Sequence, residues 1–291
     1  TQFLNTKGGI EADVTVTRLN ETAYLVVTPA ATRLADETWL RRNLGSNIAV
    51  ITDVTAGEGV LAVMGPNARA LLQAVSPNDF SNEANPFGTA HEIELGMGLA
   101  RAHRVSYVGE LGWEIYVSTE MASHAFEALH AAGRPLGLKL CGMHTMDSCR
   151  IEKAFRHFGH DITSEDNVVD AGLSFAVDLS KPDFIGKSAV VASKESGPKA
   201  RMVQFLLQDS QPLLYHNEPI LRDGEIVGYL SSGGYGHTLG AAVGLGYVPS
   251  EGQSAAEVLA SSYEIDVKGT RVKATASLKP MYDPKSEKVR L

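Results

Sequence analysis

Gly8-Gly9-Ile10-Glu11-Ala12-Asp13-Val14-Thr15-Val16-Thr17-Arg18-Leu19 alternates apolar and polar residues through most of its length. Ile10, Ala12, Val14 and Val16 fall on one side and Glu11, Asp13, Thr15 and Thr17 on the other, the two-residue period of a half-buried strand. Asp13 therefore faces away from the core that this strand covers. A polar turn, Asn20-Glu21-Thr22, and a second strand from Ala23 to Thr28 make the opening an antiparallel hairpin. The period then lengthens: Leu34, Thr38 or Trp39, and Leu40 or Leu44 return at helical spacing across residues 31–44. Antiparallel strands followed by a helix predict an α+β fold with flanking helices, not a run of parallel βαβ units.

The pattern continues outward from that stretch. Strands are expected at Ala49 to Thr55 and Val60 to Met64, then a short helix capped by Asn67 and carrying Ala70, Leu71 and Val75. Two strands, near Ile93 to Val105 and Trp113 to Val117, flank the turn Gly109-Glu110-Leu111-Gly112. Thr119 is expected to cap a helix with Ala122, Phe126 and Leu129 on its inner face and Gly133 past its end. After about residue 195 the composition shifts to short strands and glycines with no convincing helix: 201–207, 226–232, 242–248, 264–267 and 270–276. This part of the chain reads as a small all-β unit.

With 291 residues, 44% hydrophobic and 21% charged, the chain has the composition of a folded globular protein. No apolar run approaches the roughly 20 residues that span a bilayer, so no membrane association is expected. A net charge of −8 with scattered Lys and Arg gives no footprint for nucleic acid. Cys141 and Cys149 suit neither a CxxC pair nor a zinc knuckle and read as buried thiols in a reducing compartment, the cytoplasm or a mitochondrial matrix. Thr1 opens in what reads as a strand and is not an initiator Met, the pattern of a chain whose N-terminal part lies elsewhere.

Common catalytic frames are missing. There is no GxGxxG between a strand and a helix, and the glycines of Ser231 to His237 precede no helix that could hold a phosphate. HExxH and serine-elbow motifs are absent, and nine scattered histidines make no metal-ligand spacing.

Four segments carry more. Gly8 to Val14, Tyr107-Val108-Gly109-Glu110-Leu111-Gly112-Trp113-Glu114-Ile115, Met146-Asp147-Ser148-Cys149-Arg150-Ile151-Glu152-Lys153, and Ser232-Gly233-Gly234-Tyr235-Gly236-His237-Thr238-Leu239-Gly240 occur in this order. In order and spacing the set resembles the folate-site segments of the glycine-cleavage T-protein superfamily. The ending Lys279-Pro280-Met281-Tyr282-Asp283-Pro284 resembles the branch fused to flavin-dependent dimethylglycine and sarcosine dehydrogenases. The resemblance covers essentially the whole chain and implies a three-domain cloverleaf around a folate cavity: residues 1–54, part of one α+β folate-binding domain, residues 55–195, a second α+β folate-binding domain, and residues 196–291, a C-terminal β-barrel.

It also implies residue roles. Asp13 stands where the family has its catalytic aspartate, near the reactive nitrogens of tetrahydrofolate. A carboxylate suits that place because it can take a proton or hold a cationic intermediate at neutral pH. Aspartate is depleted in strands, which independently favours a function. Glu114 matches the glutamate that accepts the pterin 2-amino group and adjacent ring N–H in a bidentate fork. Tyr107, Trp113, Arg150 and Tyr235 are the further expected cofactor-binding residues; Arg150 and Asp147, three apart, also read as a local helical pair. T proteins carry a folate-contacting arginine where this chain has Met146, a departure that favours the dehydrogenase-fused branch.

The implied activity is capture of a one-carbon unit from an N-methylated amine, such as dimethylglycine or sarcosine, or its iminium, as 5,10-methylenetetrahydrofolate. The flavin (FAD) would sit in a domain outside this chain, joined in cis or in trans. A stand-alone aminomethyltransferase, a folate-dependent demethylase and a non-catalytic folate- or partner-binding module are the alternatives.

Overall fold

A computed structural model describes residues 1–291. The chain forms two compact units, one of residues 1–50 and 154–282, the other of residues 51–153 and 283–291.

In the first unit, Gln2–Leu4 (β1) pairs antiparallel with Ile10–Asp13 (β2), placing Gln2 opposite Asp13. Ile10 and Ala12 are buried and Glu11 and Asp13 are half-buried, as the alternation requires. A Cβ on Gly9 would collide with the Ser164 carbonyl, so glycine is what lets residues 164–167 run alongside. The long strand expected from the opening stretch breaks at Val14. Thr15–Arg18 (β3) instead forms a separate hairpin with Tyr24–Val27 (β4), in which Val16 stays exposed. Arg33–Arg42 (α1) follows, anchored by buried Asp36, which accepts the hydroxyls of Thr28 and Thr32. The strand expected at 49–55 is absent: Ile48 and Val50 are fully exposed, and no neighbouring strand takes up the backbone groups of that segment.

The second unit is a four-stranded antiparallel sheet with two helices on one face. Glu58–Met64 (β5) leads into Ala68–Val75 (α2), whose N-cap Asn67 turns its amide to the Leu136 carbonyl instead of capping the helix. The single strand expected at 93–105 is a hairpin, Ala90–Leu95 (β6) and Gly98–His103 (β7), because Gly96 takes φ +58 between them. Gly112–Ser118 (β8) completes the order β5-β8-β7-β6. Ala122–Gly133 (α3) buries Ala125 and Leu129, and Phe126 lies outward on the helix. Val63, Leu71, Leu72, Phe80, Ile93, Trp113, Ile115 and Leu129 form the core between sheet and helices. Met143–Glu152 (α4) ends the continuous part of this unit.

Residues 154–186 return to the first unit with little regular structure. Ile162, Val168, Ala171 and Leu173 join Leu4, Ile10 and Val190 in one core, so this segment packs with the chain's opening residues. Lys187–Ser196 (α5) closes that layer. A six-stranded closed barrel follows in the order β10-β11-β12-β9-β14-β13. Its strands are Ala200–Leu207 (β9), Pro219–Arg222 (β10), Glu225–Gly236 (β11), Ala241–Pro249 (β12), Tyr263–Val267 (β13) and Thr270–Ser277 (β14). Closure leaves the barrel without open edges. A helix unforeseen in the sequence, Ala255–Ala260 (α6), starts at a capping box between Ser254 and Glu257.

Both cysteines are free thiols, but the burial expected of them does not hold: Cys141 is exposed and Cys149 half-buried. No helix is long and apolar enough to cross a membrane.

Candidate functional site

Side chains alternate across a strand, so β8 sends Trp113, Ile115 and Val117 into the helix-covered core and Glu114 and Tyr116 to the other face. The ladder sets the neighbours on that second face: His103 of β7 lies opposite Glu114, and Arg101 opposite Tyr116. The Tyr116 hydroxyl donates to Glu114 Oε2 at 2.8 Å, and Glu114 Oε1 makes no hydrogen bond within the chain. The His103 ring lies against the Tyr116 ring with centroids 4.4 Å apart and planes inclined by 31°. Arg101 pairs with Glu58 at 3.5 Å.

The electrostatics of the face follow from burial. It pushes the Tyr116 phenol well up, and adjacent Glu114 adds to the shift. His103 is pushed down to about 4, first by burial and then by the Arg101 cation. At neutral pH the phenol of Tyr116 and the imidazole of His103 are therefore both neutral.

Tyr107 is half-buried in the loop joining β7 to β8. That loop is held from below: Gly109, at φ +78, sits on the stem of Lys153, where a Cβ would come within 3.0 Å of Lys153 Cγ and Cδ. Lys153 is itself buried, and its ammonium donates to the Asp283 carboxylate at 2.9 Å and the Asp283 carbonyl at 2.5 Å. Two sequence motifs, the one ending at Lys153 and the Lys279-to-Pro284 ending, thus meet in one ion pair.

Arg150, 3% exposed, donates from Nε to Asp147 at 2.6 Å, so the local helical pair is formed. Trp113 is fully buried, its ring edge-on to Phe80 at 5.5 Å and beneath the Arg104 guanidinium at 5.4 Å. This placement gives Trp113 a core-packing position on the opposite side of the sheet from Glu114.

Asp13 and Tyr235 belong to the first unit. Gln2 donates its side-chain amide to Asp13 Oδ1 at 2.9 Å, leaving Oδ2 for another partner. Burial raises the Asp13 carboxyl above its ordinary value, against the opposing pull of the Gln2 hydrogen bond. Tyr235, on β11, packs partly against the barrel core, donates its hydroxyl to the Gly240 carbonyl at 3.0 Å and meets His237 edge-on at 5.1 Å. The first unit also has a cleft of about 590 Å³ beside α5, lined by Thr6, Phe184, Lys187 and Glu195. A second, of about 400 Å³, lies among Asn5, Lys7, Asn167 and Lys199. Neither includes Asp13.

His103 and Tyr116 were not singled out in the sequence. A lone His on a strand carries no motif, and the signal that could have found it, the alternation Arg101–His103 against Glu114–Tyr116, needs the β7–β8 register.

Comparison with known proteins bears on both units. Residues 1–181 match the GCVT N-terminal domain, and residues 201–283 match the glycine cleavage T-protein C-terminal barrel domain. The 4-methylaminobutanoate oxidase (formaldehyde-forming) of Paenarthrobacter nicotinovorans is 42% identical over the whole chain, which covers 35% of that protein. The mitochondrial sarcosine dehydrogenase of Homo sapiens is 32% identical, again over the whole chain and 34% of its own length. The chain thus spans about a third of these relatives. Among solved structures, the glycine cleavage system aminomethyltransferase T from Bartonella henselae superposes with a TM-score of 0.84 at 27% identity, over 97% of this chain and 75% of that one.

Proposed function

The chain belongs to the glycine-cleavage T-protein family, as an aminomethyltransferase-like domain, and from that premise we propose that it binds tetrahydrofolate and loads it with one-carbon units. The observation that carries the reading is Glu114: a half-buried carboxylate aimed away from the core, one oxygen fixed by Tyr116 and the other without a partner. That arrangement fits the paired N–H donors on a pterin edge. When bound, tetrahydrofolate supplies the nucleophilic nitrogens that take up a one-carbon unit as 5,10-methylenetetrahydrofolate.

The chain's own residues do the rest. Glu114 accepts the 2-amino and adjacent ring N–H, and Tyr116 holds the carboxylate at the angle that makes this fork possible. Tyr107, on the loop braced by Lys153, flanks the ring. Arg150 is fixed by Asp147 and supplies buried positive charge for an anionic group; for Tyr235, whose hydroxyl is held by the Gly240 carbonyl, the Ser232-to-Gly240 motif supports a cofactor-binding role. Asp13, in its ionised form, takes a proton or steadies positive charge as the carbon is transferred, with Gln2 holding one carboxylate oxygen and so leaving the other to act.

Met146 and the Lys279-to-Pro284 ending favour an N-methylated amine, or its iminium, as the carbon source. The oxidation that makes the iminium belongs to a flavin-bearing region outside this chain, and the setting is the cytoplasm or the mitochondrial matrix.

Calorimetry with tetrahydrofolate tests the reading. The parent chain binds; Glu114→Ala weakens binding about tenfold or more, because buried donors lose their acceptor. Asp13→Asn binds like the parent but forms methylenetetrahydrofolate from formaldehyde about 10²–10⁴-fold more slowly. A folded parent that does not bind tetrahydrofolate ends the proposal.

A further inference from the structure

His103 is 1% exposed, yet neither ring nitrogen has a hydrogen-bond partner. Buried polar side chains are almost always paired, and a histidine serving only to fill space would be improved by an apolar residue of similar size. Its position is specific. His103 stands directly across the ladder from Glu114, at the roughly 5 Å Cβ separation of cross-strand pairs. It also rests on the ring of Tyr116, the residue that orients that carboxylate.

The chemistry of the neighbouring ligand atoms suggests what the imidazole is for. A carboxylate fork at Glu114 takes the donors of a pterin edge, the 2-amino group and the ring N–H beside it. On either side of that donor pair the ring presents an acceptor, the 4-oxo oxygen or the N1 nitrogen. Glu114 cannot serve an acceptor, and Tyr116 has committed its hydroxyl to Glu114. A neutral imidazole has one N–H to give and one lone pair to receive, and the buried ring of His103 is in the neutral state at neutral pH.

We propose that His103 is a ligand-binding residue of the pterin pocket, donating a ring N–H to the acceptor atom that flanks the pair held by Glu114. The assignment rests on the folate reading above and extends it to a residue outside the motifs. It also accounts for the cost of the unpaired ring, because the missing partner arrives with the ligand.

Tetrahydrofolate binding and thermal unfolding are measured together on the 291-residue chain, for the parent, His103→Leu, His103→Gln and Glu114→Ala. His103→Leu is expected to weaken binding about tenfold or more, while its unliganded unfolding temperature stays level or rises because the orphaned nitrogens are gone. His103→Gln, whose amide can replace the ring N–H, restores most of the affinity. If Glu114→Ala weakens binding and His103→Leu binds like the parent, the role of His103 is wrong and the folate reading stands. If His103→Leu loses affinity and thermal stability together, with no rescue by Gln, His103 is a packing residue and the inference is overturned. A parent that does not bind removes both readings at once.

Discussion

Asp283→Asn removes one charge from the buried pair that braces the Tyr107 loop. Lys153 is 1% exposed and Asp283 7% exposed, with the ammonium 2.9 Å from the carboxylate. Asparagine is the informative replacement because Asp283 sits at φ +43, a backbone region Asn tolerates nearly as well as Asp. It also retains one oxygen, enough for the Glu287 backbone N–H that Oδ1 now takes at 2.9 Å, while the amide replacing Oδ2 no longer accepts from the Lys288 N–H or the Lys153 ammonium. What remains is a buried lysine without its counter-charge. Removing one partner of such a pair typically costs about 3–5 kcal/mol. The Asp283 carbonyl continues to accept from Nζ, so the lower end, about 3 kcal/mol, is expected here.

Urea unfolding of the second unit, followed by the fluorescence of Trp113, measures the loss, with Lys153→Met and the double variant completing a cycle. The double variant should lose less than the sum of the single losses by about 1–3 kcal/mol, because it leaves no stranded charge. The effect should change little between low and high salt, since a buried pair is weakly screened. A loss under about 1 kcal/mol for Asp283→Asn, or simple additivity in the cycle, would refute the brace, since both are the behaviour of surface pairs.

Three further outcomes follow from the geometry. Gln2→Leu removes the hydrogen bond that holds the Asp13 carboxyl down. The Asp13 pKa, already raised by burial, then rises further, so the acid limb of a transfer-rate profile, which falls as pH drops through that pKa, moves to higher pH; an unmoved limb assigns it to another group. The same raised pKa makes the ionised Asp13 a stability cost above that value, a cost relieved as pH falls toward the ordinary carboxylate range. Trp113→Ala should destabilise the second unit by about 3–5 kcal/mol through the cavity left against Phe80, seen as a lowered urea midpoint. Gly109→Ala should cost about 1–2 kcal/mol for the left-handed backbone, before any shift of Lys153, and a neutral result would mean that the loop relaxes freely.

Period-two patterning revealed most of what depends on neighbours along the chain. It placed Asp13 on the side of β2 away from the core, and the glycine-rich run of short strands after residue 195 became a barrel. It overreached where a pattern lacked a partner. Residues 49–55 have strand-like composition but no strand beside them, and the apolar run at 93–105 folds back at Gly96 because one glycine can reverse the chain there. The motif around Glu114 was legible as a unit, and for that reason Trp113 and Glu114 were read together although a pleated strand must turn them to opposite faces.

By itself, then, the sequence determined the α+β class and an all-β C-terminal part from local periodicity, and the family from four ordered motifs whose resemblance also implied the barrel and pointed to Asp13 and Glu114. Tertiary structure alone decided the pairings between distant residues: His103 across from Glu114, Tyr116 on its carboxylate, and Lys153 against Asp283 at a separation of 130 residues. Strand register and chain return bring these groups together, and neither leaves a spacing that can be read along the chain, because what fixes them is the burial of whole faces and the pairing of charges that burial would otherwise strand.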